Sequence, residues 1–318
     1  MNDIMRAEPY PWGHNRRFND LGSHYRKLFG SRVQKLSIDA GFTCPNRDGS
    51  KGTGGCTFCD NRSFSPGYCS SELSVSEQLQ KGMDFFSVKY PDAKYLAYFQ
   101  SYTNTYGSFD HLVRLYEEAL DYPGVSGLVI GTRPDCIDDR LLEYLAEMAG
   151  KRYVVIEYGV ESTLDATLER INRGHGFAES MEAIARTASS GIPVGVHLIL
   201  GLPGETPDDM LHHASVLNAL PVDFVKLHQL QVLKGTRMEK EYRDFPQDFA
   251  SFSADEYIDL VIRFLEILKP GIVVERFAGA SPPGLIAGNR WGLRSHEVVT
   301  LVENEMARRD TWQGRLFA

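Results

Sequence analysis

Long apolar runs are missing from this sequence. Residues Met1 to Arg17 carry charges and no hydrophobic stretch, so neither a secretory signal nor a membrane-spanning helix is read there. A cytoplasmic location and no membrane partner are expected. Low-complexity tracts and fixed-period repeats are missing too, which excludes solenoids and propellers. Cysteine is scarce: five in 318 residues, an odd number, speak against a disulfide framework and for metal or redox use. No GxxxxGK[ST] can be drawn through Gly52 to Gly55, so these glycines form no phosphate loop. They let the chain wrap closely around a bound centre instead.

Basic charge is also short. The net charge of −8 disfavours a nucleic-acid partner for the chain as a whole. The exception is the start of the chain, where Arg6, Arg16, Arg17, Arg26, Lys27, Arg32 and Lys35 outnumber Asp3, Glu8 and Asp20, with Tyr10, Trp12, Phe18, Tyr25 and Phe29 between them. Residues 1–32 are read as a basic aromatic arm. Such an arm can meet RNA through phosphates and stacked bases, or it can pack its rings on the main domain. Both readings stand.

What is present is the composition of an ordinary globular protein, 42% hydrophobic and 24% charged. Strand-like runs recur at Val33 to Asp39, Tyr95 to Gln100, Gly127 to Thr132, Tyr153 to Gly159, Val194 to Gly201 and Phe224 to Val232. Helical patterns lie between them at Ser74 to Tyr90, Phe109 to Leu120, Asp138 to Met148, Ala178 to Ser190 and Thr206 to Ala219, with Asp138 and Thr206 as N-caps. Six βα units imply a parallel sheet with helices outside. The fold class expected is α/β, an open partial (β/α)6 TIM-type barrel over residues 33–246. A small C-terminal α/β cap is expected over 247–318, with a helix at Ser253 to Leu268, a strand at Ile272 to Arg276 and a last helix at His296 to Arg309. In a barrel of this kind, the C-terminal ends of the strands carry the active face.

The loop after the first strand holds Cys44, Cys56 and Cys59, a CxxC pair preceded at eleven residues by a third thiol. Three thiolates can hold a metal centre and leave one position open. Cys69, nine residues on, could close the site as the fourth ligand of a structural zinc, so zinc and iron both remain possible from the spacing. The polar strand ends favour a pocket over a scaffold: Gln100 to Asn104, Thr132 to Asp135, Glu157 to Ser162, His197 and Gly201 to Thr206. His197 and His228 alternate with apolar strand residues and are candidate catalytic groups, or else core histidines. His212 and His213, on a helix, are read as solvent-facing, and Cys136 as incidental.

On these residues the chain resembles radical S-adenosylmethionine (SAM) enzymes with an Elp3-like core, in the group that includes YhcC and YtqA. The wide cysteine spacing, Tyr98 to Tyr106, Tyr158 to Ser162, Arg173-Gly174-His175, Glu275-Arg276-Phe277 and Arg290-Trp291-Gly292-Leu293 carry the resemblance. It implies that Cys44, Cys56 and Cys59 ligate three irons of a [4Fe–4S] cluster while SAM chelates the fourth. Electron donation from the cluster then cleaves SAM to methionine and a 5′-deoxyadenosyl radical, the protein supplying orientation and a dry site. It further implies that Phe58 lies against adenine and that Gln100, Ser101 and Asn104 meet the methionine amino group. Glu161 would accept from the ribose hydroxyls, Arg173 would pair the methionine carboxylate, and the Gly201 to Pro203 turn would meet adenine.

The expected function is radical chemistry on tRNA, at the side chain of the wobble uridine, with an electron donor such as flavodoxin or ferredoxin. A small metabolite or a protein substrate is the alternative within the same chemistry. A zinc-bearing scaffold is the alternative outside it.

Overall fold

The computed structural model describes residues 10–63, 65–279, 281–288 and 290–317. Seven strands form one sheet in chain order, every neighbouring pair parallel: β1 (Val33–Ile38), β2 (Lys94–Phe99), β3 (Val125–Thr132), β4 (Tyr153–Glu161), β5 (Val194–Leu200), β6 (Phe224–Gln229) and β7 (Val273–Arg276). The sheet curls into a partial barrel, open between β1 and β7. The barrel therefore has seven strands where the sequence pattern counted six. The run expected as a strand of the cap pairs with β6 through Phe224 with Val273 and Val225 with Val274. Four residues carry too little periodicity to say which sheet they will join.

The helices are α1 (Leu21–Phe29), α2 (Val75–Ser87), α3 (Phe109–Asp121), α4 (Asp139–Ala149), α5 (Asp165–Arg170), α6 (Phe177–Ser189), α7 (Pro207–Asn218), α8 (Arg237–Asp244), α9 (Ala254–Ile267) and α10 (Ser295–Arg308). Their starts are set by local chemistry. Ser74 with Glu77, Thr206 with Asp209 and Ser253 with Glu256 close reciprocal capping boxes, and Asp138 accepts from the Leu141 amide. Helices α1, α5 and α8 go beyond the sequence reading.

Alternation along the strands sorts the core into two layers. Leu36, Ile38, Ala97, Phe99, Leu128, Ile130 and Ile156 face the helices, while Leu96, Tyr98, Val129, Val155, Phe224 and Val273 face inward. The inner layer is closed from below by the arm. Tyr25 of α1 is buried among those inner residues, with its ring centroid 6.0 Å from Tyr153, and Phe29 stands 5.2 Å from the same ring. Phe18 packs edge-on against Phe277, and Tyr10 is buried and stacked on Trp12. Arg16 pairs with Asp20 and Glu303, and Arg17 with Asp310. Of the two readings of the arm, these rings follow the packing one; Arg6 and the rest of residues 1–9 lie outside the described residues. No helix among the described residues is long and apolar enough to cross a membrane.

Candidate functional site

The C-terminal ends of the strands open on a cavity whose wall includes Cys44, Cys56 and Cys59. Between them the loop folds back on itself: the Arg47 amide donates to the Cys44 carbonyl, the Gly55 amide to Asn46 and the Cys59 amide to Cys56. Gly55 adopts φ +74, and a Cβ there would stand 2.8 Å from Arg47 Nε. Only glycine lets the loop close over that guanidinium. The loop is tied to the body where the Thr57 amide donates to Ile171, the Met238 amide donates to Thr57, and Arg237 donates to the Gly55 carbonyl.

Each thiol has a cation beside it. Arg173 Nη1 lies 3.5 Å from Cys56 Sγ, and Arg133 Nη1 lies 3.8 Å from Cys44 Sγ. Arg47 donates to the Cys59 carbonyl at 2.9 Å and stacks toward Tyr102. Asn46 Nδ2 is a second neighbour of Cys56, at 3.9 Å. Burial, and then the neighbouring Cys56, pushes the Cys59 thiol up, while Arg47 opposes both. Arg133 is itself held by Asp135, which also takes Lys51 at 2.6 Å; although burial raises a carboxyl, these partners hold Asp135 well below the usual carboxylate range. His175, beside this group, is pulled down to about 4 by burial first and by Arg173 second. Its Nε2 and the Nε of Arg173 are buried with no hydrogen-bond partner among the described residues.

The structure brings half of the expected cosubstrate residues to this wall. Phe58, Gln100, Glu161 and Arg173 line it, as do His197 and His228. Glu161 holds a left-handed φ of +68 just past an irregularity in the β4–β5 register, which turns its carboxylate to 3.8 Å from Arg173. Gly159 lacks the Cβ that would collide with both groups, at 2.6 Å from Glu161 Oε1 and 2.9 Å from Arg173 Nη2. Ser101, Asn104, Gly201 and Pro203 stand off the wall. Ser101 is buried, and Asn104 donates to the Gly131 carbonyl at 2.7 Å, while its neighbours Tyr102 and Thr103 face the cavity. Cys69 is also elsewhere, its thiol donating to the Ser37 carbonyl at 2.9 Å. His213, expected in solvent, is fully buried and sits 2.7 Å from Thr163 Oγ1 and 3.3 Å from Glu205. The face of α7 that carries His213 is turned toward Thr163 and Glu205, in the loops after β4 and β5.

Below the rim, the barrel interior is ionic. Lys35 and Lys226 each meet both Glu157 and Glu275, at 2.5 to 2.9 Å, and Lys226 donates to Tyr98 Oη at 3.0 Å. Burial opposes ionisation, but the two ammoniums hold Glu157 well below its ordinary range, and the two carboxylates hold Lys35 up. His197 reaches Glu157 at 2.9 Å, and His228 lies beside it. Burial, with Lys226 next in weight, lowers His197; burial and then Arg276 lower His228 well below the ordinary value. Both rings are neutral near pH 7 and can each donate and accept one hydrogen bond. The sequence reading counted Lys35 with the basic arm, Arg133 with the polar strand ends and Glu275 with the residues that carry the resemblance, but gave none of them, nor Lys226, this ionic role. The signal was there for three of them: charged residues in otherwise apolar strands.

The donor set can be tested against a bound centre. Three thiolates bring three negative charges to a rim where three guanidiniums already stand. Among the described residues no three His, Cys, Asp or Glu side chains converge as the ligands of one ion do. Three cysteine sulfurs on one wall beside fixed guanidiniums are the donor chemistry that suits an iron–sulfur cluster.

Comparison with known proteins agrees. The Radical SAM superfamily model matches residues 47–217, more than half of the chain, and the Radical_SAM C-terminal domain model matches residues 222–308. The Uncharacterized protein YtqA of Bacillus subtilis is 36% identical over 315 residues, 99% of this chain and 97% of that protein. The tRNA uridine(34) acetyltransferase of Methanocaldococcus infernus is 24% identical over 162 residues, 50% of this chain and 29% of that protein. Among solved structures, archaeal Methanocaldococcus infernus Elp3 with an N-terminal deletion shares the fold at a TM-score of 0.67 and 16% identity, over 88% of this chain and 64% of that one. From the family match and the full-length relative together, this chain belongs to the radical SAM superfamily, whose cofactors are a [4Fe–4S] cluster and S-adenosylmethionine.

Proposed function

We propose that this radical SAM enzyme acts on tRNA, at the side chain of the wobble uridine, and that Cys44, Cys56 and Cys59 each hold one iron of its cluster. When bound, the cluster supplies the electron for reductive cleavage of SAM. The chain's own residues bind and orient. Arg173 offers its guanidinium, with Nε free of a partner among the described residues, to the methionine carboxylate. Glu161 accepts from the ribose hydroxyls, Phe58 lies along the adenine, and Gln100, whose Oε1 accepts from Ser37, lies toward the amino group. His197, His228 and Arg276 remain on the deeper wall for the substrate. Electrons come from a small reductant such as flavodoxin or ferredoxin.

The observation that carries the cluster assignment is the convergence of three thiols and three guanidiniums at the strand ends. The likeness of half the chain to a tRNA uridine(34) acetyltransferase supports the substrate. One observation favours a small metabolite or a protein instead: Tyr10, Phe18 and Tyr25 of the arm are buried and present no rings to bases. Nucleoside mass spectrometry of tRNA from a strain lacking the gene separates the two readings. An altered wobble uridine is expected, and a profile identical to the parent's would sink the tRNA reading.

A further inference from the structure

Arg133, at the end of β3, is 2% exposed, and all three of its guanidinium nitrogens are engaged. Nε and Nη2 donate to the two oxygens of Asp135 at 2.9 and 3.0 Å, and Nη1 points at Cys44 Sγ, 3.8 Å away. Arg173 differs, since it donates to the Gly159 carbonyl and faces Cys56 but keeps Nε without a partner among the described residues, available to a cosubstrate. Each of the three nitrogens of Arg133 already has a partner. A buried cation fixed by a two-point carboxylate clasp and aimed at one sulfur has a single target.

We infer that Arg133 is a positioning residue that sets the reduction potential of the cluster, with Asp135 and Lys51 fixing how much of its charge Cys44 feels. The inference rests on the proposal that Cys44, Cys56 and Cys59 hold the cluster. The step concerned is the entry of one electron from an external reductant, which adds one negative charge to the centre and moves no proton or bond. A fixed positive charge beside a ligating sulfur stabilises that added charge, and the effect is large where water is excluded. Lys51 is half-exposed and pairs with Asp135 at 2.6 Å, which links the setting to the cysteine loop's own surface.

The test is a redox titration followed by electron paramagnetic resonance on anaerobically reconstituted full-length protein without SAM, after iron and sulfide have been measured. Arg133→Gln is expected to load iron as the wild type does. Its midpoint is expected to fall by about 59 mV, which for one electron is about a tenfold drop in the reduction equilibrium. Arg133→Lys should recover part of that shift. Asp135→Asn keeps the shape of the clasp, removes its neutralising charge and should move the midpoint the other way. A loaded Arg133→Gln protein titrating at the wild-type midpoint overturns the inference. If that variant does not fold, a loaded Asp135→Asn protein titrating at the wild-type midpoint overturns it equally. Wild-type protein that takes up no iron and sulfide fails at the first measurement, and this refutes the cluster assignment before any potential is read.

Discussion

At the rim of the cavity Arg47, Arg133 and Arg173 stand beside three thiols, while at its floor Lys35 and Lys226 meet Glu157 and Glu275. The floor contains two cations and two anions in mutual contact, within one barrel cross-section that links β1, β4, β6 and β7. Its charge is balanced by the protein alone, and it joins the two strands on either side of the open seam. At the rim, positive groups gather around sulfurs that carry no charge as thiols, Asp135 and Glu161 offset them only in part, and two buried nitrogens there find no partner among the described residues. A bound centre held by thiolates would supply the rest. A region that completes itself supports the fold, and a region left incomplete marks where a ligand belongs.

The largest expected effect breaks the rim and leaves the floor intact. Cys56→Ala is expected to abolish the absorbance near ~400 nm that iron–sulfur charge transfer gives on anaerobic reconstitution. Its cost to folding should be about 1 kcal/mol by urea denaturation. A brown, loaded variant would contradict the assignment of Cys56. The converse change is Lys226→Met, which leaves Glu157 and Glu275 sharing one ammonium, that of Lys35, with His197 still on Glu157. Removal of one member of a buried ionic group costs about 3–5 kcal/mol, read as a lower denaturation midpoint in the protein before reconstitution. A loss below about 1 kcal/mol would mean that the floor does not carry the load ascribed to it.

The smallest effect sharpens the boundary between the two regions. His175 is neutral in the fold because burial, and after it Arg173, takes its pKa down to about 4, against 6.5 for the free side chain. A group depressed on folding contributes its stability above the unfolded value and loses it as pH falls toward the folded one. The fold should therefore weaken between about pH 6.5 and 4 by roughly 3 kcal/mol from this residue. Denaturation of wild type and His175→Asn at pH 7, 5 and 4 checks this. The variant should lack that part of the acid loss, and parallel curves would exclude it.

Local chemistry made much of the fold legible in the sequence. Ser74, Asp138, Thr206 and Ser253 start their helices because a side-chain oxygen three residues before a free amide needs nothing distant. Six of the seven strands could be placed because each is long enough to show a run. The seventh was read as a strand of the cap, and its place beside β6 was not, since that pairing is a long-range event. His213 and His212 are adjacent and look alike in sequence; only the tertiary structure, which sets Thr163 and Glu205 against one face of α7, makes the first buried and the second exposed. At the site, Phe58, Glu161 and Arg173 could be named from the resemblance and do line the cavity. Ser101, Asn104, Gly201 and Pro203 could be named as well and do not, because neighbouring residues in a tight turn point in different directions.

The sequence by itself determined the cysteine spacing, the order of strand and helix, and the side of the sheet on which the cysteine loop emerges. Those follow from covalent order and from patterns a few residues long. Only the tertiary structure decided that Arg133 from β3 and Arg173 from beyond α5 would reach the same rim as that loop. It alone brought Lys35 and Glu275, 240 residues apart, into contact across the open seam. The position of a charge in space depends on which strands become neighbours, and that choice is made by the burial of the whole sheet.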